Sequence, residues 1–487
     1  MKRLVDIPFW LIVTPIYFLT RLVNLKIIPI FTDEAIYTYW AQVALHDPIH
    51  RFISLEDGKQ PLFIWLAAVF QKFIADPLVA TRLVSVAAGF FSTVGIYLLA
   101  KIIFNDKVAK IASILYIILP LTLLYDRMAL FDSLLTMFGI YAILFSVKLA
   151  KNPRLDWAML SGIAIGAAMI TKSSGVFFLY LLPASLLLKV KLVKWLPFAL
   201  VVFVISQLIA NSLRLSPLFY IIARKNLGFI RPTSEVFASP FAYFVSNASA
   251  LTSWTATYMG IGLFILVPVV IVWGLLKKNT QVFYLAILVA IPFGAELFFN
   301  KVLYPRFILF YFPYIILLTA FGIVTIAERL QNLKKYLIPL IFFVVLIPLV
   351  NSFYLLTSPT KAKIANSDAG QYLNDWPAGY GVAEIVAFLK KAPKDRQIYV
   401  GTEGTFGLLP YALQIYFYGQ ENIHIIGFWP TDSNNLPAQI LEPAKNNPTY
   451  FVFNETQKQI TNEQLKLLAK YQKGIGDGYM RLYEIIP

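Results

Sequence analysis

Phe31-Thr32-Asp33-Glu34-Ala35-Ile36-Tyr37 sets two adjacent carboxylates directly after the first long apolar run. They open an amphipathic helical pattern through Ile36, Tyr39, Trp40, Val43 and Ala44. Charge at the end of a membrane span, within reach of water, is tolerable where deeper charge is costly. A carboxylate pair held at that boundary can act on a substrate that arrives in the lipid. The same stretch also reads as ordinary capping, with Thr32 as N-cap and acidic residues at a helix N-terminus.

Cations stand at comparable places. Asp57-Gly58-Lys59-Gln60-Pro61-Leu62 precedes a short apolar stretch, and its proline suits the first turn of a helix. Thr171-Lys172 and Pro305-Arg306-Phe307 each put a positive charge at the end of a run. Asp126-Arg127-Met128-Ala129-Leu130-Phe131-Asp132 joins two runs, and either its Arg127 and Asp132 pair to help them pack or both stand beside Asp33 and Glu34. Singly, each cation reads as a snorkelling or solvated side chain. Together, Lys59, Arg127, Lys172 and Arg306 make a pocket suited to one lipid phosphate. Arginine forks match phosphate bidentately, and lysine adds a point charge.

The elements that must hold these residues are membrane spans. Of 487 residues 58% are hydrophobic and 16% aromatic, with a mean hydropathy of +0.67, which excludes a soluble globular protein and predicts a polytopic α-helical membrane protein. The net charge of +16 would suggest nucleic acid in a soluble chain. Here the basic residues cluster between apolar runs, as topology determinants beside anionic lipid, and no nucleic-acid partner is expected. There is no cysteine, so structural disulfides are excluded. Met1-Lys2-Arg3 with the run behind it resembles a signal peptide but lacks a small-residue cleavage site, so it reads as a retained first span.

Runs near 7–28, 79–103, 108–125, 128–148, 156–172, 174–189, 193–212, 254–276, 281–299, 306–327 and 336–356 are long enough, or nearly so, to cross. The run 61–75 is shorter and interrupted by Gln71 and Lys72. If it lies in the interface and the N-terminus is cytoplasmic, the clusters Lys101/Lys107/Lys110, Lys148/Lys151/Arg154, Lys189/Lys191/Lys194, Lys277/Lys278 and Arg329/Lys334/Lys335 all fall inside, as the positive-inside rule requires. The expectation is therefore about eleven spans, with 34–46 and 61–75 as juxtamembrane helices. That topology gathers Asp33, Glu34, Lys59, Asp126, Arg127, Asp132, Lys172, Lys301 and Arg306 at the outer surface. The loop 213–253 is expected to hold a further interfacial helix.

A transmembrane domain over 1–357 then gives way to a soluble domain over 358–487 on the outer side. Its β-prone runs 397–400, 423–426, 450–453 and 479–485 alternate with helical patterns at 382–391, 406–418, 436–445 and 462–471, which predicts a small α/β domain. Thr461-x-x-Gln464 reads as a capping box. No phosphate-binding glycine loop or metal-ligand spacing is present there, so docking or covering is its expected role. His46-x-x-x-His50 has metal-ligand spacing but Asp47-Pro48 interrupts it, and no metal or other cofactor is predicted. Gly162-x-x-x-Gly166 predicts close helix packing. Asn247-Ala248-Ser249 and Asn454-Glu455-Thr456 are short matches to a glycosylation acceptor pattern.

In order and spacing these motifs resemble the polytopic, lipid-phosphate-sugar-dependent glycosyltransferases of the C superfamily. The branch they resemble most holds protein O-mannosyltransferases and the aminoarabinose transferases of lipid A. The likeness runs from Arg21, ahead of Asp33-Glu34, through Lys59-Gln60-Pro61-Leu62 and Arg82-Leu83. It continues in 127–132 and 162–172 to Pro305-Arg306-Phe307 and Pro313. Lys-Gln-Pro-Leu replaces the family's usual Lys-Pro-Pro-Leu. The Trp-Trp-Asp-Tyr-Gly motif of oligosaccharyltransferases is missing, as is the β-trefoil of eukaryotic mannosyltransferases.

The resemblance implies an inverting transferase that moves a sugar from a polyprenyl-monophosphate donor to an extracytoplasmic acceptor at the cell membrane. Asp33 would be the general base, with Glu34 and Asp132 positioning the acceptor or the base. Lys59, Arg127, Lys172 and Arg306 would steady the phosphate, and Arg21, Arg82, Tyr37, Asp126 and Lys301 would support them. Two other classes compete. A transporter or flippase predicts an inverted repeat and broken helices at the midplane, and no repeat is visible. A non-catalytic partner subunit would be expected to lack the base, and Asp33 is present.

Overall fold

A computed structural model of the chain describes residues 6–188, 191–330, 332, 334–393, 395–454 and 460–486. Met1-Lys2-Arg3, Lys189 and Glu455-Thr456 lie outside the described residues, as do the side chains of Lys334 and Lys335.

The apolar runs fold as helices with local reasons for their ends. Helix α1 (Ile7–Leu22) begins where Asp6 accepts the Phe9 N–H, and α4 (Pro77–Ile103) where Asp76 accepts that of Val79 with proline at the first turn. Between them lie α2 (Thr32–His46) and the ten-residue α3 (Leu62–Gln71), helices at the stretches 34–46 and 61–75 where the sequence predicts them. The N-cap of α2 is Phe31, one residue before the predicted Thr32. Thr32 instead gives its hydroxyl to the Pro377 carbonyl, at 3.2 Å, and Glu34 reaches back to the Phe31 N–H at 3.1 Å. The run 108–125 is broken at Leu119-Pro120 into α5 (Asp106–Ile118) and α6 (Pro120–Tyr125). Helices α7 (Phe131–Lys151) and α8 (Leu155–Met169) follow.

Among the described residues six helices are long and apolar enough to cross a membrane: Pro77–Ile103, Phe131–Lys151, Leu192–Leu215, Thr280–Phe299, Phe312–Arg329 and Pro339–Thr357. The pair Phe244–Met259 and Ile261–Leu276, bent by 116° at Gly260, makes a seventh if counted as one span. Four shorter apolar helices coincide with other predicted runs and with α3. The loop ahead of that bent pair holds two short helices, Tyr220–Asn226 and Thr233–Ala238, where one was expected. Gly162 and Gly166 allow the close packing predicted for them. A Cβ on either would lie 2.8 or 2.7 Å from Ile205 or Ile209 of the neighbouring helix.

The C-terminal segment forms a five-stranded sheet in the order β2-β1-β3-β5-β4, from β1 (Ile398–Glu403), β2 (Ile423–Phe428), β3 (Thr449–Asn454), β4 (Leu465–Gln472) and β5 (Tyr479–Ile485). The first three are mutually parallel and the last two antiparallel, with helices Val382–Leu389, Tyr411–Phe417 and Ala438–Ala444 between strands or before them. Two apolar cores result, one on each face of the sheet. The predicted helix at 462–471 is wrong, because 465–472 form β4 and the residues before it a turn. Its capping box is absent too: Gln464 donates its backbone N–H to Asn462 in a turn.

This sheet domain is sewn to the start of α2. Phe31 and Ala378 form an antiparallel bridge, Thr32 N–H reaches the Pro377 carbonyl at 3.1 Å, and Gly379 N–H reaches that of Ile30 at 2.8 Å. Only glycine fits at 379, since a Cβ would lie 2.5 Å from the Ile30 oxygen. Along α2, Tyr39 stacks on Tyr411 at 4.5 Å and Gln42 donates to the Ile415 carbonyl at 2.8 Å. The element that carries Asp33 is thus clamped between membrane helices and sheet domain.

Candidate active site

Asp33 occupies the first turn of α2, and its Oδ2 lies 3.0 Å from Nη2 of Arg306. Arg306 stands on the 3-10 turn Pro305–Phe310 that leads into the helix Phe312–Arg329. The rings of Tyr304 and Phe31 flank its guanidinium at 4.8 and 5.9 Å. The next residue, Phe307, lies under the ammonium of Lys172 at 4.4 Å, and Lys172 pairs with Asp132 of α7 at 2.7 Å. The two ion pairs therefore meet at this turn, Arg306 belonging to one and its neighbour Phe307 lying against the cation of the other. Lys59 joins them: it lies over the Phe229 ring at 5.4 Å and has no ion-pair partner among the described residues. Burial lowers its pKa, against the attraction of Asp33 and Asp57 and with the repulsion of Arg306 and Lys172. Asp33, Asp132, Lys59, Lys172 and Arg306 are brought together as the sequence suggested.

Aromatic packing sets the distances among the helices that carry them. Tyr37, one turn beyond Asp33, packs against Phe131 at 4.3 Å, and Phe63 of α3 closes the group at 5.2 Å from Phe131. Phe131 adjoins Asp132, so the two carboxylates are fixed by one apolar contact.

Glu34 lies beneath the site and not in it. Its Oε2 takes Arg82 Nη2 at 2.7 Å and the Phe31 N–H at 3.1 Å; its Oε1 takes Arg82 Nε at 2.8 Å and the Ala129 N–H at 2.7 Å. Both side chains are fully buried. No lone-pair site is left for an acceptor, which corrects the expectation that Glu34 touches substrate. What remains to it is positioning. Arg82 also gathers the carbonyls of Leu25, Ile28 and Pro29, so this pair pins the chain entering α2 and the turn before Asp132.

Arg127 is likewise corrected. Both terminal nitrogens of its guanidinium donate to the carbonyls of Thr20, Arg21, Val23 and Asn24 at 2.7–3.0 Å, closing the C-terminal end of α1 rather than joining the cations at Asp33. It does not pair with Asp132 either. Arg21 and Asp126, both fully buried, pair at 3.3 Å, and Asp126 accepts Ser133 Oγ at 3.0 Å as well. They brace α1 against the start of α7. Lys301 turns away to Glu235 at 3.4 Å, which Arg231 also holds at 3.0 Å, so it does not support the site.

Asp368, in a short turn of helix after the last apolar run, was not singled out by any motif. It is fully buried; Tyr125 donates to its Oδ2 at 2.7 Å and Tyr258 donates to the same oxygen. Burial pushes its carboxyl up to about 6, against those hydroxyls and Arg306. The histidines at 46 and 50 do not converge: His46 stacks on Tyr418 and His50 pairs with Asp47 at 2.6 Å. Among the described residues no group of three or more His, Asp or Glu is placed to hold a metal ion.

With this geometry the chain can be set beside known proteins. Residues 58–213, about a third of the chain, match the family described as dolichyl-phosphate-mannose-protein mannosyltransferase. No curated protein matches in sequence. ArnT from Cupriavidus metallidurans in the apo state superposes with a TM-score of 0.62 at 12% identity, covering 98% of this chain and 97% of that one. The chain has the fold of ArnT. ArnT bound to undecaprenyl phosphate matches that fold with a TM-score of 0.60 at 13% identity, over 98% of this chain and 97% of that one. The Archaeoglobus fulgidus oligosaccharyltransferase shares it at 0.53 and 12% identity, over 93% of this chain and 70% of that one. These likenesses span the helices and the C-terminal domain alike, so one shared fold accounts for the whole architecture.

Proposed function

We propose that the protein is an inverting glycosyltransferase that moves a hexosyl or pentosyl group from a polyprenyl monophosphate to a hydroxyl of an acceptor outside the cytoplasm. The observation that carries this is the junction of the Asp33–Arg306 and Lys172–Asp132 pairs, with Lys59 beside them. A base is needed because an acceptor hydroxyl is a poor nucleophile until its proton is taken, an effect of about 10²–10⁴. Asp33 is the base in this account. Its free oxygen faces the acceptor while Arg306 holds the other. Attack on the anomeric carbon from the side opposite the phosphate inverts that centre in one step. The departing phosphate gathers negative charge, and Lys59, Lys172 and Arg306 supply preorganised positive charge for it. Asp132 orients Lys172, while Glu34 and Arg82 position the two chain segments that bear the carboxylates.

The fold of ArnT, which holds undecaprenyl phosphate, supports a polyprenyl-phosphate donor. The clustering of lysines between spans supports an orientation with the N-terminus in the cytoplasm and both the site and the C-terminal domain outside. A soluble domain beginning near residue 358 fits the change in composition there, although its first residues line the catalytic region. The test is transfer of label from a panel of radiolabelled polyprenyl-phosphate sugars by the purified protein. No transfer from any donor would overturn the proposal.

A further inference from the structure

Two charged side chains next to the ion pairs each bury an atom with no protein partner, Nη1 of Arg306 and Oδ1 of Asp368, and the hydroxyl of Tyr372 beside them has none either. The Arg306 nitrogen can only donate; the Asp368 oxygen, on an ionised carboxylate, can only accept. Buried groups of this kind are nearly always hydrogen-bonded in a functioning protein, so an absent molecule is the natural partner. Both residues border one cluster of aromatic rings. The Arg306 guanidinium lies 5.9 Å from the Phe31 ring, which meets Tyr372 edge-on at 4.9 Å; Tyr372 lies 6.3 Å from Tyr125, the residue that donates to Asp368. Arg306 and Asp132 also both act electrostatically on Asp368.

Oδ2 of Asp368 is held by Tyr125 and Tyr258, which leaves Oδ1 aimed away from them with its orientation fixed. A fixed carboxylate oxygen repels a phosphate and attracts a hydroxyl. The acceptor's reacting hydroxyl belongs at Asp33. The hydroxyls that remain are those of the group between phosphate and acceptor.

We propose that Asp368 Oδ1 and Arg306 Nη1 form a subsite for the sugar of the donor, the carboxylate accepting from a ring hydroxyl and the guanidinium donating to a neighbouring sugar oxygen. This rests on the proposed function and adds to it a specific place for the carbohydrate, built by the segment that follows the last membrane helix. Tyr125 and Tyr258 are positioning residues that act through Asp368.

The experiment compares binding of undecaprenyl phosphate with binding of undecaprenyl phosphate carrying a hexose or a pentose, using the full chain in lipid nanodiscs. For Asp368→Asn the bare lipid phosphate is expected to bind within about twofold of wild type, while the sugar-bearing lipid loses on the order of tenfold, the worth of one hydrogen bond to a charged group. Tyr125→Phe, which keeps the carboxylate buried but loosens it, is expected to lose in the same sense by less. Equal losses for both lipids in both variants, or no loss for either, would overturn the subsite alone. A wild-type protein that binds bare undecaprenyl phosphate no less tightly than any sugar-bearing form would do the same. A wild type that binds no polyprenyl phosphate would overturn the proposed function and the subsite with it.

Discussion

The carboxylate of Glu34 grips Arg82 through two hydrogen bonds, at 2.7 and 2.8 Å, with neither side chain exposed to solvent. Because the same carboxylate also holds the N–H groups of Phe31 and Ala129, one buried pair sets the backbone before Asp33 and before Asp132. The acidic residue next to the proposed base thus does its work through the main chain.

Removing one member of such a pair leaves an uncompensated buried charge. Glu34→Ala is expected to cost about 3–5 kcal/mol of stability, read as a lower midpoint in thermal unfolding of the detergent-solubilised protein. Unchanged stability would place Glu34 outside the scaffold.

Arg127 and Lys59 should separate cleanly. Arg127→Gln strands the carbonyls at the end of α1 and is expected to lose at least ~2 kcal/mol of stability, with donor KM nearly unchanged in the protein that folds. Lys59→Gln is expected to leave the unfolding midpoint in place and to lower kcat/KM for the donor by about 10²-fold. Steady-state kinetics and thermal unfolding on both variants check this; the reverse pattern would exchange their roles.

The lowered pKa of Lys59 gives activity an alkaline limit. Its charge is lost as pH rises through a value below the ordinary lysine range, so donor affinity should fall before free lysine would titrate. Lys59→Arg, whose charge persists, should carry activity to higher pH even if its geometry lowers the rate. Donor KM against pH for the two proteins measures this.

Asp368 titrates at about 6 in the fold against 3.8 unperturbed. Between those values the folded chain holds a proton that the unfolded chain has released, so this residue costs stability as pH rises through about 6. Asp368→Asn should therefore raise the unfolding midpoint at pH 7.5 and change it little near pH 4. A carboxylate that destabilises its own fold is what a binding function would retain.

Much of this was legible because membrane sequences restrict where charge can go. Asp33, Asp132, Lys59, Lys172 and Arg306 stand at the ends of apolar runs, and the structure gathers all of them. Glu34 and Arg127 share those positions and residue types. What separates them is the supply of competing backbone groups, the N–H of Ala129 and the carbonyls from Thr20 to Asn24, which no local pattern reveals. Asp368 lay hidden for the opposite reason. It follows the last run in polar surroundings, and only the fold buries it behind Tyr125 and Tyr258. The strand β4 reads as a helix in sequence because a register shift between Leu467 and Ala469 breaks its alternation and leaves helix-like spacing.

Asp33 as general base is the point on which the account stands, and it is tested most directly by label transfer from a polyprenyl-phosphate sugar with wild type and Asp33→Asn side by side. The variant is expected still to bind donor and to lose transfer by about 10²–10⁴-fold. Equal transfer by the two proteins would contradict it.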